Sequence, residues 1–282
     1  MNKIFQIYGD VLNNGPGKVL KNTMLGLDEL NIPYTFNEPP IEGSYKISLT
    51  PNPIMDSSFI GELLVGPNVC VLPFENGKIM EMNYKKCVVP SEWVYNKYKK
   101  WISEDKLSIW PVGIDTNLFK DTLNYKKNND CLIYFKRRNG FDLETIKNFL
   151  KSKNQTYKII SYGSYNESDF INLLSESRYC IMIDSTESQG IAVGEIMSSN
   201  LPILVWDVSE WADYGEQFKV PASSVPYWDN SCGEKFYSVS SLNETFTKFM
   251  ENLHLYQPRK FVLNNLSLSK QVKELINIFE SK

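Results

Sequence analysis

The chain predicts an α/β protein made of two doubly wound, parallel-sheet domains facing across a cleft, and three observations lead there. Short apolar runs alternate with amphipathic helical patterns, the signature of parallel strands covered by helices. The alternation is interrupted by a polar stretch, KDTLNYKKNND at 120–130, and then restarts. The stretch from Tyr179 to Asp207 holds a complete strand–helix–strand unit. A length of 282 residues suffices for two modest domains. The expected division is 1–115, 116–265, and a C-terminal helical segment at 266–282 packing back on the first domain.

In order, Ile4–Tyr8 reads as the first strand, Gly9–Gly17 as a glycine-rich loop and Lys18–Leu30 as an amphipathic helix. Strand, glycine loop and helix in that order is how open α/β sheets build phosphate sites. The loop has neither the spaced dinucleotide fingerprint nor a Gly-Lys-Ser/Thr ending. Tyr34–Asn37 and Lys46–Thr50 are expected strands, Ile60–Leu64 a short helix, and Val69–Leu72 and Cys87–Val89 short apolar runs. Ser91 is placed to cap a helix over Glu92–Trp101, and Leu107–Pro111 follows as a strand. The boundary between domains falls near 114–128.

The second half continues with strand Cys131–Phe135, helix Leu143–Lys151, strand Tyr157–Ser161 and helix Glu167–Ser175. Next come strand Tyr179–Ile183, a polar turn, helix Ile191–Ser199 and strand Leu201–Trp206. Beyond Trp206 the pattern loosens until helices at Ser241–Asn252 and Ser267–Phe279.

Two groups of residues carry chemistry. The turn after Ile183 and the helix behind it hold Glu187 and Glu195, with Gly190 between them. A helix N-terminus presents unpaired N–H groups that suit a phosphate, and a glycine lets the backbone approach it. Carboxylates there can accept hydrogen bonds from sugar or ribose hydroxyls; they also complement the helix dipole. Strand Cys131–Phe135 runs into Lys136, Arg137 and Arg138, at the carboxyl end where parallel sheets bind ligands. Cations there neutralise a diphosphate, Arg with two parallel donors; a solvated basic turn has the same composition.

Taken together, these features resemble a known family. The segment VVPSEWVYNKYKKWISEDKLSIWPVGIDTNLF is similar to the interdomain region of GT-B glycosyltransferases, and the Glu187–Gly190–Glu195 spacing resembles the two-glutamate motif of the retaining family that includes sucrose and glycogen synthases. The resemblance implies two Rossmann-like domains and transfer of a hexose or related sugar, with retention, from a nucleotide-diphosphate sugar to the hydroxyl of a glycan or other acceptor. It implies that Glu195 binds the ribose, Glu187 a donor-sugar hydroxyl, and Gly190, Ile191 and Ala192 offer amides. Arg138 with Lys136 would hold the diphosphate, Gly15 and Gly17 would let the first-domain loop close over the donor, and Tyr162, Gly163, Ser164 and Tyr165 would lie near the base. Ser188 stands where that family usually has glycine, and the three contiguous cations replace a spaced pair. Two other readings stay open: a nucleotide-sugar epimerase of the same fold, and an inactive sugar-nucleotide-binding or scaffold protein.

Composition narrows the partners. A net charge of −3 gives no general pull toward nucleic acid or anionic membranes. No apolar run approaches bilayer length, so a cytoplasmic protein is expected; a small basic face at Lys97, Lys99 and Lys100 allows peripheral membrane association. Five cysteines without metal-ligand spacing fit a reducing compartment. The single His254, expected in a helix, excludes a histidine-built zinc site, and without an Asp-x-Asp motif no metal cofactor is expected. Glu75 reads as a turn residue rather than a nucleophile. The acceptor would be governed by loops at 39–58 and 73–86.

Overall fold

The structure is a computed structural model and describes residues 3–51, 62–75 and 78–281. The chain divides into two units, Met1–Asp115 with Asn265–Lys282, and Thr116–Asn264. Both are doubly wound parallel sheets.

In the first unit, β1 (Phe5–Tyr8) is buried along its whole length and leads to α1 (Gly15–Glu29). β2 (Tyr34–Phe36), β3 (Tyr45–Ser48), β4 (Leu63–Val65), the short α2 (Lys78–Glu81), β5 (Lys86–Val89), α3 (Glu92–Tyr98) and β6 (Leu107–Ile109) follow. The sheet order is β2-β1-β3-β4-β5-β6, and each neighbouring pair is parallel.

Three local expectations are corrected here. Leu63–Val65 is a strand, not the end of a helix; all three residues are fully buried, and a short continuous apolar run has no periodicity to separate the two. (Ile60 and Gly61 lie outside the described residues.) Ser91 occupies the position before α3, but its side chain makes no capping hydrogen bond, and the helix ends at Tyr98 rather than Trp101. Lys97 is not part of a basic face: it is 1% exposed, with its ammonium 4.6 Å from the Trp93 ring centre.

The glycine loop is shorter than its composition suggests. Asn14 caps α1 by accepting from Gly17 N at 3.2 Å, so Gly15 and Gly17 lie in the first helical turn. A Cβ at Gly17 would sit 1.6 Å from the Leu12 carbonyl oxygen; glycine is what lets residues 9–14 fold back against the helix start. Gly17→Ala is therefore expected to destabilise the protein by about 1–3 kcal/mol, read as a lower melting temperature by circular dichroism. Gly15→Ala, with no atom near the new methyl, should leave it unchanged.

The C-terminal helix, Leu268–Glu280, completes the first unit. Its stripe of Leu268, Val272, Leu275 and Phe279 is buried, spaced as one helical face. Gly26 of α1 faces Val272 and Leu268 so closely that a Cβ would meet Val272 Cγ2 at 2.7 Å. Phe279 packs against Phe5 and Tyr45, while the Tyr45 hydroxyl donates to Glu280 at 2.6 Å and Trp110 Nε1 to Gln271 O at 2.9 Å.

The second unit is built on β7 (Asn129–Phe135), followed by α4 (Gly140–Ser152), β8 (Tyr157–Ser161), α5 (Glu167–Glu176), β9 (Ser177–Ile183), α6 (Ile191–Ser198) and β10 (Ile203–Trp206). Asn139 and Asn166 cap α4 and α5 by accepting from Asp142 N and Asp169 N. The cap at Asn139 starts α4 three residues before the apolar pattern at Leu143 announces it.

Beyond β10, a small antiparallel pair forms from β11 (Glu210–Trp211) and β12 (Val220–Pro221), then β13 (Gly233–Phe236), α7 (Val239–Glu251) and α8 (Pro258–Asn265). The sheet order is β13-β10-β9-β7-β8, all parallel. The polar residues after 119 are tied to this unit, with Thr122 bonded to Ser199 O and Lys127 to Ser175 O. His254 is exposed in the turn after α7, not in the helix.

Candidate functional site

β7 and β9 are adjacent and parallel, so their carboxyl ends put the two chemistry-bearing turns side by side. Lys136 N donates to Ile183 O at 2.9 Å, extending the ladder by one residue. Arg137 then takes a left-handed conformation, φ 47°, which turns the chain sharply toward the Asn139 cap. The three consecutive cations thus leave the sheet in different directions.

Lys136 forms an ion pair with Glu187 Oε2, lies 3.8 Å from Asp184 Oδ2, and has its ammonium 4.4 Å from the Tyr162 ring centre. Arg137, half exposed, donates from Nη2 to Thr186 O at 2.5 Å and pairs with Glu187 at 3.4 Å and with Asp184 at 3.5 Å. Arg138 donates from Nε to Asp142 at 2.7 Å, and its guanidinium lies 4.7 Å from the Trp206 ring centre. Lys136, Glu187 and Tyr162 therefore come together. Arg138 lies on the Trp206 side, and Arg137 is the most exposed cation of the three.

The Glu187 turn is held from a third direction. Glu187 N donates to Ser223 O at 3.0 Å. Ser223 Oγ and Ser224 N in turn donate to Asp207, which is 3% exposed at the end of β10 and also accepts from Lys235 Nζ at 2.8 Å. Gly190, φ 69°, precedes α6, and a Cβ there would press on Pro226 Cγ at 2.9 Å. Ile191 and Ala192 form the first turn of α6, whose leading N–H groups have no intrahelical partner. Glu195, one turn on, is 2% exposed.

Electrostatics separate the two buried carboxylates of this turn. Burial pushes Asp184 up to about 7, only partly offset by Lys136 and Arg137. Burial also acts on Glu187, but Lys136 and Arg137 outweigh it and hold that carboxylate below its usual range. Two neighbouring acids with opposite shifts are characteristic of functional sites.

Tyr162, Gly163 and Ser164 form an exposed turn after β8, with Gly163 at φ 81° and Ser164 N donating to Ser161 O. Ser164 and Tyr165 border a cavity of about 480 Å³ whose lining includes Ser161, Ile159, Asp169 and Leu173 but neither the cations nor Glu187. Gly15 and Gly17 belong to the first unit. Glu75 Oε2 accepts from Leu72 N at 2.9 Å within its own turn. Among the described residues, no group of three His, Cys, Asp or Glu side chains could hold a metal ion, and no helix is long and apolar enough to cross a membrane.

Asp184, Asp142, Trp206 and Asp207 are the members that sequence reasoning did not single out. Asp184 and Asp207 share one signal: each is the acidic residue immediately after an apolar strand. Trp206 gives no such signal, because an aromatic ending a strand reads as core.

No family model and no curated protein sequence matches the chain. Solved structures do. AviGT4, a glycosyltransferase involved in avilamycin A biosynthesis, is similar over 98% of this chain and 97% of its own, with TM-score 0.57 and 11% identity. The lipopolysaccharide outer core galactosyltransferase WaaB matches over 98% and 99%, with TM-score 0.57 and 12% identity. An α-glucosyltransferase solved with UDP and a 13-mer DNA containing a HMU base matches over 100% of both chains, with TM-score 0.55 and 10% identity. Two parallel-sheet units with these neighbours define the class: the chain has the GT-B glycosyltransferase fold, as its motifs imply. At such identities the likeness is one of fold.

Proposed function

We propose that the protein is a glycosyltransferase that moves a sugar from a nucleotide-diphosphate donor to the hydroxyl of a glycan or other acceptor. The observation that carries this reading is the meeting of Lys136, Arg137 and Glu187 at the carboxyl ends of β7 and β9, beside the start of α6. Ligands of open parallel sheets bind at such ends, and a helix N-terminus adds positive potential for a diphosphate.

In the proposed site, Lys136 and Arg138, joined by the more exposed Arg137 and the α6 amides of Ile191 and Ala192, stabilise the charge that develops on the departing diphosphate. Such preorganised stabilisation is often the largest catalytic contribution. Glu187 holds a donor-sugar hydroxyl, Glu195 the ribose, and Tyr162–Ser164 lie near the base. The bond from the anomeric carbon to the phosphate oxygen breaks as the acceptor oxygen bonds to the same face, and the acceptor proton passes to the departing phosphate oxygen. The configuration is retained, and no metal is required because cations already line the leaving group's path. The net charge of −3 supports a non-nucleic-acid acceptor.

The test is a thermal-shift screen against UDP-, GDP- and ADP-sugars in EDTA, since a ligand that binds only the folded state raises its melting temperature. A shift with one donor that Glu195→Gln abolishes is the expected result. No shift with any donor at saturation would sink the roles given to Glu187 and Glu195.

A further inference from the structure

We propose that Asp184 is a positioning residue whose carboxyl takes up a proton when the donor diphosphate binds, which releases Lys136 and Arg137 from carboxylate partners toward the phosphates. The inference rests on the donor-site reading above.

The cations of this site are not idle. Lys136 is engaged by Glu187 and Asp184, Arg137 by Asp184 and Glu187, and Arg138 by Asp142. Lys136, Arg137 and Arg138 bring three positive charges, and Asp142, Asp184 and Glu187 three negative ones, so the cluster is formally neutral. A dianionic diphosphate arriving beside it would meet fixed carboxylates as well as cations. One of those carboxylates must become neutral or turn away.

Asp184 is the carboxylate built for the first course. Its side chain is fully buried, so it cannot swing out to water. Its Oδ1 accepts from Ser185 N at 2.7 Å and faces Arg137 Nε at 3.5 Å. Its Oδ2 is buried with no hydrogen-bond partner, so a proton there breaks no existing bond and makes the oxygen a donor. The charged groups around it are Lys136 and Arg137 from the end of β7 and Glu187 from its own turn, with Arg138 Nη1 at 3.5 Å from its main-chain oxygen and Tyr134 of β7 within electrostatic reach. Engaging the two cations with phosphate removes the charges that favour ionised Asp184, and the added anion raises its proton affinity further. Burial already holds this carboxyl near the point where such a push crosses neutral pH.

The experiment is isothermal titration calorimetry of wild-type protein and Asp184→Asn with UDP-glucose, GDP-mannose and ADP-glucose. These probes have no titrating phosphate near neutral pH. Each is run at about pH 8 in two buffers of different ionisation enthalpy. The expected result is uptake of about one proton per donor bound by the wild type and none by Asp184→Asn. Wild-type affinity should fall about tenfold per pH unit above the carboxyl's titration, while the variant's stays flat. Binding without proton uptake overturns this inference and leaves the donor-site reading standing. The wild-type count decides alone if the variant does not fold. No heat and no thermal shift with any of the three donors overturns both.

Discussion

Lys136→Ala is expected to lower kcat by about 100- to 1,000-fold while weakening donor binding far less. Lys136 is the cation most tightly coupled to Glu187, and it leaves the sheet at the centre, where β7 and β9 adjoin. Charge accumulates on the diphosphate as its bond to the sugar breaks, so an ammonium there is worth more in the transition state than in the bound donor. A group of that kind lowers kcat and kcat/KM together when removed. The readout needs no acceptor: release of nucleoside diphosphate by donor hydrolysis gives both constants. Arg138→Ala should show the same split with a smaller loss, because Asp142 and the Trp206 face hold its guanidinium already. Matched losses in donor affinity and turnover would reduce both residues to binding roles. A folding artefact is controlled by melting the variant. Loss of the ammonium leaves Asp184 and Glu187 closer to mutual repulsion, and Asp184 can relieve this by taking a proton.

The alternation of the second unit was legible because its apolar runs are long and bounded by polar turns. The strand at Tyr157–Ser161 and the helix starting at Ile191 lie where the pattern puts them. Leu63–Val65 was misread because a fully buried run of that length carries no period. β13 was missed for the opposite reason: Gly233-Glu-Lys-Phe is half polar, and its glycine lies so close to Ile203 O that a Cβ would sit 2.0 Å away. Its neighbour β10, not its own composition, makes it a strand. The site followed the same logic. Lys136 and Glu187 announce themselves by type and position at strand ends. Asp184 and Asp207 matter only once parallel neighbours set them against cations and loops from elsewhere in the chain. Buried Lys97 shows the reverse, a charge in an apparent surface run that the fold stacks on Trp93.

Asp184→Asn is expected to stabilise the protein at about pH 8 by up to about 4 kcal/mol and to leave it unchanged near pH 4. The sign follows from the direction of the shift. Unfolded, this carboxyl titrates near 3.8; folded, burial carries it to about 7. Between those values the native state keeps a proton that the unfolded chain has released, so stability falls as pH rises through that window and the penalty is complete above it. Asparagine is neutral throughout and nearly isosteric, so it removes the penalty without opening a cavity. Glu187 works in the other direction: its lowered value contributes stability above its unfolded value, lost as pH falls through its folded one. The measurement is chemical denaturation of both proteins across pH. A difference that grows from about pH 4 to about pH 7 and then levels off identifies Asp184 as the titrating group. A constant difference would mean that the carboxylate is fully stabilised by Lys136 and Arg137 at every pH. A variant that is more stable but no longer couples donor binding to proton uptake is the signature of a buried charge retained for function, at the expense of the fold that holds it.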